Sequence, residues 1–206
     1  MSAQFITIEG LEGAGKTTQA EVLCNWLTDR GISFVRTREP GGTPIAEKIR
    51  DLVLAHHDER MDPYTELLMV FAARQQHVET LIKPALVNGQ WVVSDRFTDA
   101  TYAYQGGGRS LGANYIQQLE QLVLGGFQPD TTFWFDCDAQ TGLNRARARG
   151  SLDRIEQEAL SFFNRARAAY EQRALQQPQR FVRLDASQTV EAVSEQLIQA
   201  LEARYA

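Results

Sequence analysis

The stretch QFITIEGLEGAGKTT (residues 4–18) joins three local signals that together decide the fold. Residues 4–8 are rich in β-branched side chains and phenylalanine, which indicates a strand. The motif GLEGAGKT (10–17) follows, and an amphipathic run then predicts a helix that ends near Gly31. A strand, a glycine-rich loop and a helix in this order aim backbone N–H groups, a lysine and a helix N-terminus at phosphate oxygens.

Each part of this loop has an expected role in holding a triphosphate. Lys16 would bridge the β- and γ-phosphates, and the Thr17 hydroxyl would help to hold Mg²⁺. Backbone N–H groups from Gly13 to Thr18 would form an anion-binding nest. The residues expected to bind ATP in this way are Gly10, Leu11, Glu12, Gly13, Ala14, Gly15, Lys16, Thr17 and Thr18. Glu12 is unusual here, because a carboxylate inside a phosphate-binding loop would repel the ligand.

Four further apolar runs predict strands, and helical stretches separate them. These runs are SFVRT (33–37), QWVVSD (90–95), TTFWFD (131–136) and RFVRLDA (180–186). Alternating strands and helices indicate an α/β domain in three layers, with a five-stranded parallel sheet flanked by helices. The length of 206 residues fits a single domain, 1–206. In such sheets ligands bind at the carboxyl ends of the strands, where the glycine-rich loop lies.

Composition limits the partners and the compartment. The net charge of −5 argues against a surface for nucleic acid or anionic membranes, and no apolar stretch approaches membrane-spanning length. Cys24 and Cys137 lack metal-binding or redox spacing, so we expect reduced thiols. His56, His57 and His77 show no ligand pattern and are expected to be ordinary surface or core residues. The phosphate loop begins at Gly10, so removal of an N-terminal signal peptide would destroy it, and the predicted location is therefore cytoplasmic.

A phosphoryl-transfer site also needs a carboxylate near the metal, at the end of a neighbouring strand. Two predicted strands end on one, at Asp95 and at Asp136. We favour Asp95 as the second metal ligand beside Thr17, because Arg96 follows it directly and adds a phosphate-binding cation to the same strand end. Asp136 has the alternative of leaving its strand into a turn with Asp138.

The segment RARARGSLDRIEQE (145–158) predicts a mobile lid. On a helix Arg145 and Arg149 share one face while Arg147 points away, and Gly150 supplies a C-terminal stop. Beside a phosphate loop, such arginines would bring positive charge onto the transferring phosphoryl group, with Arg145 as a contact of ATP. The alternative is an ordinary solvated helix end that complements the helix dipole. The stretch YQGGGRSLG (104–112) is also expected to be poorly ordered.

The run DPYTELLMVFAARQQHVETLIKPALVNG (62–89) predicts a long helix with a kink at Pro84. Its apolar residues cover most of the circumference, so the helix should be buried on several sides. In a chain of this size that favours a second copy as the further contact, and hence a homodimer. Phe71 and Arg74 share a face, so an aromatic plane and a planar donor could meet one flat ligand. The alternative for this pair is a core phenylalanine beside a surface arginine.

Several motifs together resemble those of bacterial thymidylate kinases, in the same order and over essentially the whole chain. They are GLEGAGKTT, TREPGGT, FAARQQHVE, SDRFTDATYAYQGGG, PDTTFWFD and RARARGSLDRIEQE. The resemblance implies a P-loop fold of the nucleoside-monophosphate-kinase type and a homodimer. It also implies the reaction ATP + dTMP → ADP + dTDP with Mg²⁺, on small-molecule substrates only.

The resemblance also implies roles for residues that match the family motifs. Arg96 would bind the dTMP phosphate, with Arg50, Glu39 and Pro40 nearby. Phe71 would stack on thymine, Arg74 would contact its exocyclic oxygen, and Thr101 and Gln105 would face the base. Tyr104 would crowd the 2′ position of the sugar, and Arg149 would approach the transferring phosphoryl group. Glu12 would accept a hydrogen bond from the 3′-hydroxyl or pair with a lid arginine. Lys16, Arg96, Arg149, Asp95 and Glu12 form the expected catalytic set.

Two other functions stay open on sequence grounds. A deoxynucleoside kinase would need a carboxylate base beside a 5′-hydroxyl. Glu39 could serve as that base, but Phe97 stands where serine is typical of those enzymes. A P-loop switch protein would use nucleotide binding to regulate a partner. Guanine-specific switches carry an Asn-Lys-x-Asp motif, which is absent from this chain.

Overall fold

The structure is a computed structural model that describes residues 2–150 and 152–205, except for the side chain of Arg149. Its centre is a parallel sheet with the strands β1 (Phe5–Glu9), β2 (Phe34–Arg38), β3 (Trp91–Asp95), β4 (Thr131–Asp136) and β5 (Phe181–Asp185). The strands lie in the order β2-β3-β1-β4-β5, so the chain begins at the middle of the sheet. The predicted five-stranded parallel sheet is confirmed, and strand bounds differ from the predicted ones by at most one residue.

Helices connect the strands and cover both faces. They are α1 (Lys16–Asp29), α2 (Pro44–Leu54), α3 (Pro63–His77), α4 (Lys83–Val87), α5 (Thr98–Thr101), α6 (Ala113–Leu124), α7 (Ala139–Arg149), α8 (Leu160–Gln176) and α9 (Val190–Tyr205). Within the described residues, no helix is both long enough and apolar enough to cross a bilayer.

The alternation of β1 side chains produces the three layers. Ile6 and Ile8 pack into the cluster formed with α1 and α9. Phe5 points the other way and packs with Ile82 and Phe97. Successive residues of a strand face opposite sides, so both faces of this central strand are apolar and both must be covered.

The long helix predicted over 62–89 is present but is not uniform. Asp62 caps α3 by accepting hydrogen bonds from the N–H groups of Tyr64 and Thr65, and Pro63 occupies the first turn. A π-helical turn, Val78–Ile82, separates α3 from α4. The irregularity thus begins before Pro84, in the turn whose hydrogen bonds a proline disrupts.

The prediction of poor order for 104–112 is wrong for its first half. A π-helical segment, Tyr102–Gly108, continues from α5 and is mostly buried. A Cβ atom on Gly107 would lie 2.6 Å from the backbone oxygen of Arg165, and one on Gly108 would lie 2.5 Å from the ring of Phe162. The glycines therefore allow close packing against α8, a long-range contact that local composition does not reveal.

Candidate active site

A cavity of about 600 Å³ opens at the carboxyl edge of the sheet. Most of the predicted site residues line it: Glu12, Gly13, Gly15, Lys16, Thr17, Thr18, Glu39, Pro40, Arg50, Arg74, Asp95, Arg96, Thr101, Tyr104, Gln105 and Arg145. The parallel register explains why these residues lie together, because β1, β2 and β3 all end at this edge of the sheet.

The glycine-rich loop has the backbone that phosphate binding needs. Gly13 and Gly15 have φ values of +72° and +83°, in the left-handed region that glycine enters without strain. Helix α1 begins directly afterwards, so the first N–H groups of the helix and the positive end of its dipole lie at the loop. Gly10, Leu11 and Ala14 are not among the described residues that line the cavity. Ala14 packs in the core instead.

Lys16 is held inside the loop as a partly buried cation. Its Nζ donates to the carbonyl oxygens of Gly10 at 3.0 Å and Leu11 at 2.8 Å. Burial, together with the positive charge of Arg96, lowers the pKa of Lys16 to about 8. A bound anion would favour the charged ammonium and reverse this shift. The arrangement therefore fits a phosphate ligand.

The two candidate metal-side carboxylates have different surroundings. Both oxygens of Asp136 accept hydrogen bonds from Arg167, at 2.6 and 3.0 Å, and Arg183 adds a further ion pair. Asp95 lines the cavity with Thr17, and its Oδ1 is buried without a hydrogen-bond partner among the described residues. A buried acceptor without a partner is costly unless a ligand satisfies it. Asp95 therefore fits a metal or its water, and Asp136 is engaged elsewhere.

Arg96 sits at a strained turn just after β3. Its φ is +73°, which is unusual for a residue other than glycine. Its N–H donates to Ile8 O at 2.9 Å, and the hydroxyl of Ser94 donates to its carbonyl oxygen at 2.7 Å. Backbone strain held in this way is common where a side chain must take one particular direction.

Glu12, the acid inside the phosphate loop, is the partner of Arg96. The Nη2 of Arg96 donates to Glu12 Oε1 at 2.6 Å, and the Tyr104 hydroxyl donates to Glu12 Oε2 at 2.6 Å. The Arg96 guanidinium also lies 4.7 Å from the centre of the Tyr104 ring. Among the described side chains, Glu12 is therefore paired with a strand-end arginine and a tyrosine.

The far end of the cavity is built around Arg74. Its Nε donates to Glu39 Oε2 at 2.7 Å, and its Nη2 donates to Thr101 Oγ1 at 3.0 Å and to Phe97 O at 3.2 Å. Gln105 lines the same end and donates to Glu66 at 2.7 Å. The prediction that these positions meet in one pocket is therefore consistent with the geometry.

Phe71 is placed differently from the other residues predicted to bind the base. Phe71 is not among the described residues that line the cavity, and it packs in a buried cluster with Leu67, Tyr102 and Ile116. Val70 lines the cavity in its place. Phe71 and Arg74 are three positions apart, so their side chains point about 60° apart around the helix axis. Of the two, Arg74 is the residue that lines the cavity. The ring of Phe71 instead lies 4.9 Å from the Arg74 guanidinium.

The predicted lid joins the cavity through several residues. Asp153, Ile155 and Arg145 line the cavity. Arg154 donates to Glu66 Oε2 at 2.6 Å and to Val53 O at 2.9 Å, which ties this segment to α3 and α2. Outside the lid, Arg50 on α2 also lines the cavity and donates to Pro40 O at 2.8 Å. The predicted role of Arg149 concerns a side chain outside the part that the structure describes.

Glu9 and Tyr170 are among the contributors that were missed at the sequence level. Glu9 Oε1 accepts a hydrogen bond from the Phe97 N–H at 2.7 Å, and Oε2 accepts one from the Tyr170 hydroxyl at 2.6 Å. Arg96 Nη1 donates to the same hydroxyl at 3.3 Å and to Gly10 O at 2.9 Å. Glu9 thus stabilises the strained turn at Arg96 through its hydrogen bond to the next residue, Phe97. A polar residue at the end of an apolar strand was the one available signal.

Fold and site define a kinase of the P-loop class, a phosphotransferase that handles nucleotides. A family model described as thymidylate kinase matches residues 8–197. The chain belongs to the thymidylate kinase family. These matches do not favour the deoxynucleoside kinase or the switch protein.

Individual relatives agree with this assignment. The thymidylate kinase of Teredinibacter turnerae is 54% identical over 203 residues, which cover 98% of this chain and 99% of the relative. The thymidylate kinase of Pseudomonas putida strain GB-1 is 57% identical over 193 residues, which cover 94% and 92%. A crystal structure of thymidylate kinase from Ehrlichia chaffeensis aligns with a TM-score of 0.80 at 33% identity, covering 98% of this chain and 99% of that one.

The buried carboxyl group of Glu9 generates a testable pH dependence. Burial, assisted by the charge of Asp99, raises the pKa of Glu9 from 4.5 to about 8. Between these values the folded protein holds a proton that the unfolded chain has released. The free energy of unfolding should therefore fall as pH rises, by at most about 1.4 kcal/mol per pH unit from this group. In E9Q the amide still accepts from the Phe97 N–H but does not titrate.

Denaturant unfolding of wild type and E9Q from pH 5.5 to 8 measures this effect. We expect the wild-type stability minus the E9Q stability to decrease steadily with pH. Substitution of the exposed Glu21 on α1 by glutamine is the control, and its difference from wild type should stay flat. A flat or rising difference for E9Q would contradict the proton on Glu9.

Proposed function

We propose that this chain transfers the γ-phosphoryl group of ATP to dTMP, giving ADP and dTDP, with Mg²⁺. One observation carries the proposal. A single cavity joins the phosphate loop and Lys16 at one end to the Arg74 group at the other, with Arg96 between them. The phosphates of a nucleotide donor and a nucleotide acceptor would therefore both lie near the Arg96 guanidinium.

The donor end suits ATP and Mg²⁺. The loop backbone, the start of α1 and Lys16 would hold the phosphates. Thr17 and Asp95 would hold the metal, and the unpartnered Oδ1 of Asp95 supports this assignment. When bound, Mg²⁺ would neutralise charge on the β- and γ-phosphates, and it commonly keeps one or two protein carboxylates and several waters as ligands.

The acceptor end suits a pyrimidine deoxynucleotide. Arg96 and Arg50 would bind its phosphate, and Arg74, Thr101 and Gln105 would face the base. Val70 and Phe97 also line the cavity and would supply apolar contact to the base. Tyr104, held by Glu12, would crowd the 2′ position of the sugar. Glu12 would remain close enough to the sugar for its second predicted role, as acceptor from the 3′-hydroxyl.

Transfer by this arrangement needs no general base. An oxygen of the acceptor phosphate, already anionic, forms the bond to the γ-phosphorus while the bond to the β-phosphate oxygen breaks. Catalysis would rest on positioning and charge neutralisation by Lys16, Arg96 and Arg149. The acceptor phosphate would compete with Glu12 for Arg96, so Glu12 would keep that guanidinium aimed into the cavity until the substrate binds.

We also propose a homodimer, a mobile lid over 145–158 within a single domain, and a cytoplasmic location. Tyr64 and Leu68 on α3 and Tyr115 and Leu122 on α6 are exposed apolar side chains, and the two tyrosine rings lie edge to face at 5.4 Å. Such a patch favours a second copy.

The proposed cytoplasmic location rests on the two cysteines, which are free and buried and so suit a reducing compartment. Cell fractionation should recover the chain with cytoplasmic markers.

A coupled assay for ADP tests the proposed reaction. The purified chain is mixed with ATP, Mg²⁺ and each nucleoside monophosphate in turn, and with thymidine. We expect rapid ADP formation that requires both dTMP and Mg²⁺. Phosphorylation of thymidine without that of dTMP would indicate a deoxynucleoside kinase. Slow hydrolysis that is independent of any acceptor would indicate a switch.

The lid role of Arg149 is tested against a neighbour on the same helix. R149A should lower kcat by about a hundredfold or more, because it removes charge from the transferring phosphoryl group. The KM for dTMP should change little. R147A is the matched control, since it removes the same charge from the opposite face. Equal effects of the two substitutions on kcat would contradict the lid role.

Sedimentation velocity tests the dimer. L68E places a charge in the α3 patch and should shift the protein from dimer to monomer at micromolar concentration. L175E alters a leucine that is also exposed, on α8, and should leave the dimer intact. A wild-type monomer under these conditions would refute the dimer.

A further inference from the structure

Behind the cavity wall, the partly buried Thr37 and the buried His77 and Glu39 form a chain of hydrogen bonds that ends on Arg74. His77 Nε2 lies 2.7 Å from Thr37 Oγ1, and His77 Nδ1 lies 3.0 Å from Glu39 Oε1. Glu39 Oε2 then accepts from Arg74 Nε at 2.7 Å. His77 is 0% exposed, so it does not itself line the cavity. The chain links β2, the loop after it and α3.

Glu39 is held at both of its oxygens by residues of the same helix. Arg74 and His77 are three positions apart on α3 and therefore share a face. With one nitrogen on each oxygen, the carboxylate cannot rotate without breaking a buried hydrogen bond, which is costly. The Nδ1 of His77 is the donor to Glu39, and in the neutral ring Nε2 accepts from the Thr37 hydroxyl.

The surroundings of His77 are shaped to this arrangement. Gly42 has a φ of +85°, and a Cβ atom there would lie 2.5 Å from both His77 Nε2 and Thr37 Oγ1. Any larger residue at 42 would therefore displace the hydrogen bond between them. The space for the histidine ring depends on the loop that also carries Glu39.

These hydrogen bonds fix the orientation of the Arg74 side chain before a ligand binds. Nε is occupied by Glu39, and Nη2 by Thr101 and by the carbonyl of Phe97. Nη1 is buried and has no hydrogen-bond partner among the described residues. Arg74 lines the cavity, so Nη1 is the donor left for a ligand there.

We propose that His77 is a positioning residue for pyrimidine specificity. Through Glu39 it holds the Arg74 guanidinium so that Nη1 presents a fixed donor to the base-binding end of the cavity. The inference rests on the proposed function and adds a residue to it. A donor fixed in this way favours a carbonyl oxygen, which thymine offers, over the amino group that cytosine has at the same place.

Kinetics of H77L with dTMP and dCMP test this role. Leucine is similar in size to histidine but cannot make either hydrogen bond, so Glu39 and Arg74 become free to move. We expect the KM for dTMP to rise about tenfold while kcat stays within about threefold, since the lost pre-organisation concerns binding. The efficiency with dCMP should stay level or rise, so the preference for dTMP over dCMP falls about tenfold.

Three further variants separate positioning from simple packing. H77N should largely restore the KM for dTMP, because the asparagine amide can donate to Glu39 as Nδ1 does. T37V, which removes only the outer hydrogen bond, should shift KM in the same direction by less than H77L. V78A removes buried apolar volume next to His77, so it should lower the melting temperature and leave KM unchanged.

The outcomes distinguish the inference from the function beneath it. If wild type phosphorylates dTMP but H77L and T37V keep the wild-type KM and preference, His77 is only a core residue and the inference is wrong. An equal loss in H77L and H77N, matched by V78A, would also overturn it. If wild type does not phosphorylate dTMP at all, the proposed function fails first.

Discussion

The parallel pairing of β1 with β3 is the constraint on which the site depends. Ile8 lies opposite Asp95 in the register, so both strands end at the same level. The phosphate loop that follows β1 and the Arg96 turn that follows β3 are therefore neighbours, and the Arg96 N–H closes on Ile8 O. A slip of one residue would turn every side chain of the strand to the other face and separate Asp95 from Lys16.

Three acidic side chains then orient the cations of this edge. Glu9 supports the strained turn of Arg96, Glu12 holds the Arg96 guanidinium, and Glu39 holds Arg74. Buried charges are tolerated when they are paired and hydrogen-bonded, and such pairing also limits their motion. The acid inside the phosphate loop is therefore an anchor for an arginine rather than a flaw in the loop. A site arranged beforehand loses less entropy when its ligands bind.

Sequence patterns predicted the elements well because their signals are local. Apolar runs and glycine spacing sufficed for the five strands and the phosphate loop. Features that depend on packing between distant residues needed the tertiary structure. Phe71 and Val70 are both apolar and adjacent, and only packing against Leu67 and Tyr102 shows which of them faces away from the cavity. Likewise, the glycines of the segment Tyr102–Gly108 suggested disorder, whereas they admit α8 at close range.

By itself the sequence determined the α/β class, the family and most of the residues that line the cavity, because these follow from motifs that are contiguous along the chain. Only the tertiary structure decided how those residues are held. Glu9 with Phe97, Glu12 with Arg96 and His77 with Thr37 are pairs separated by 88, 84 and 40 positions. No periodicity links residues so far apart, and their contacts exist only once the parallel sheet has brought its strand ends to one edge.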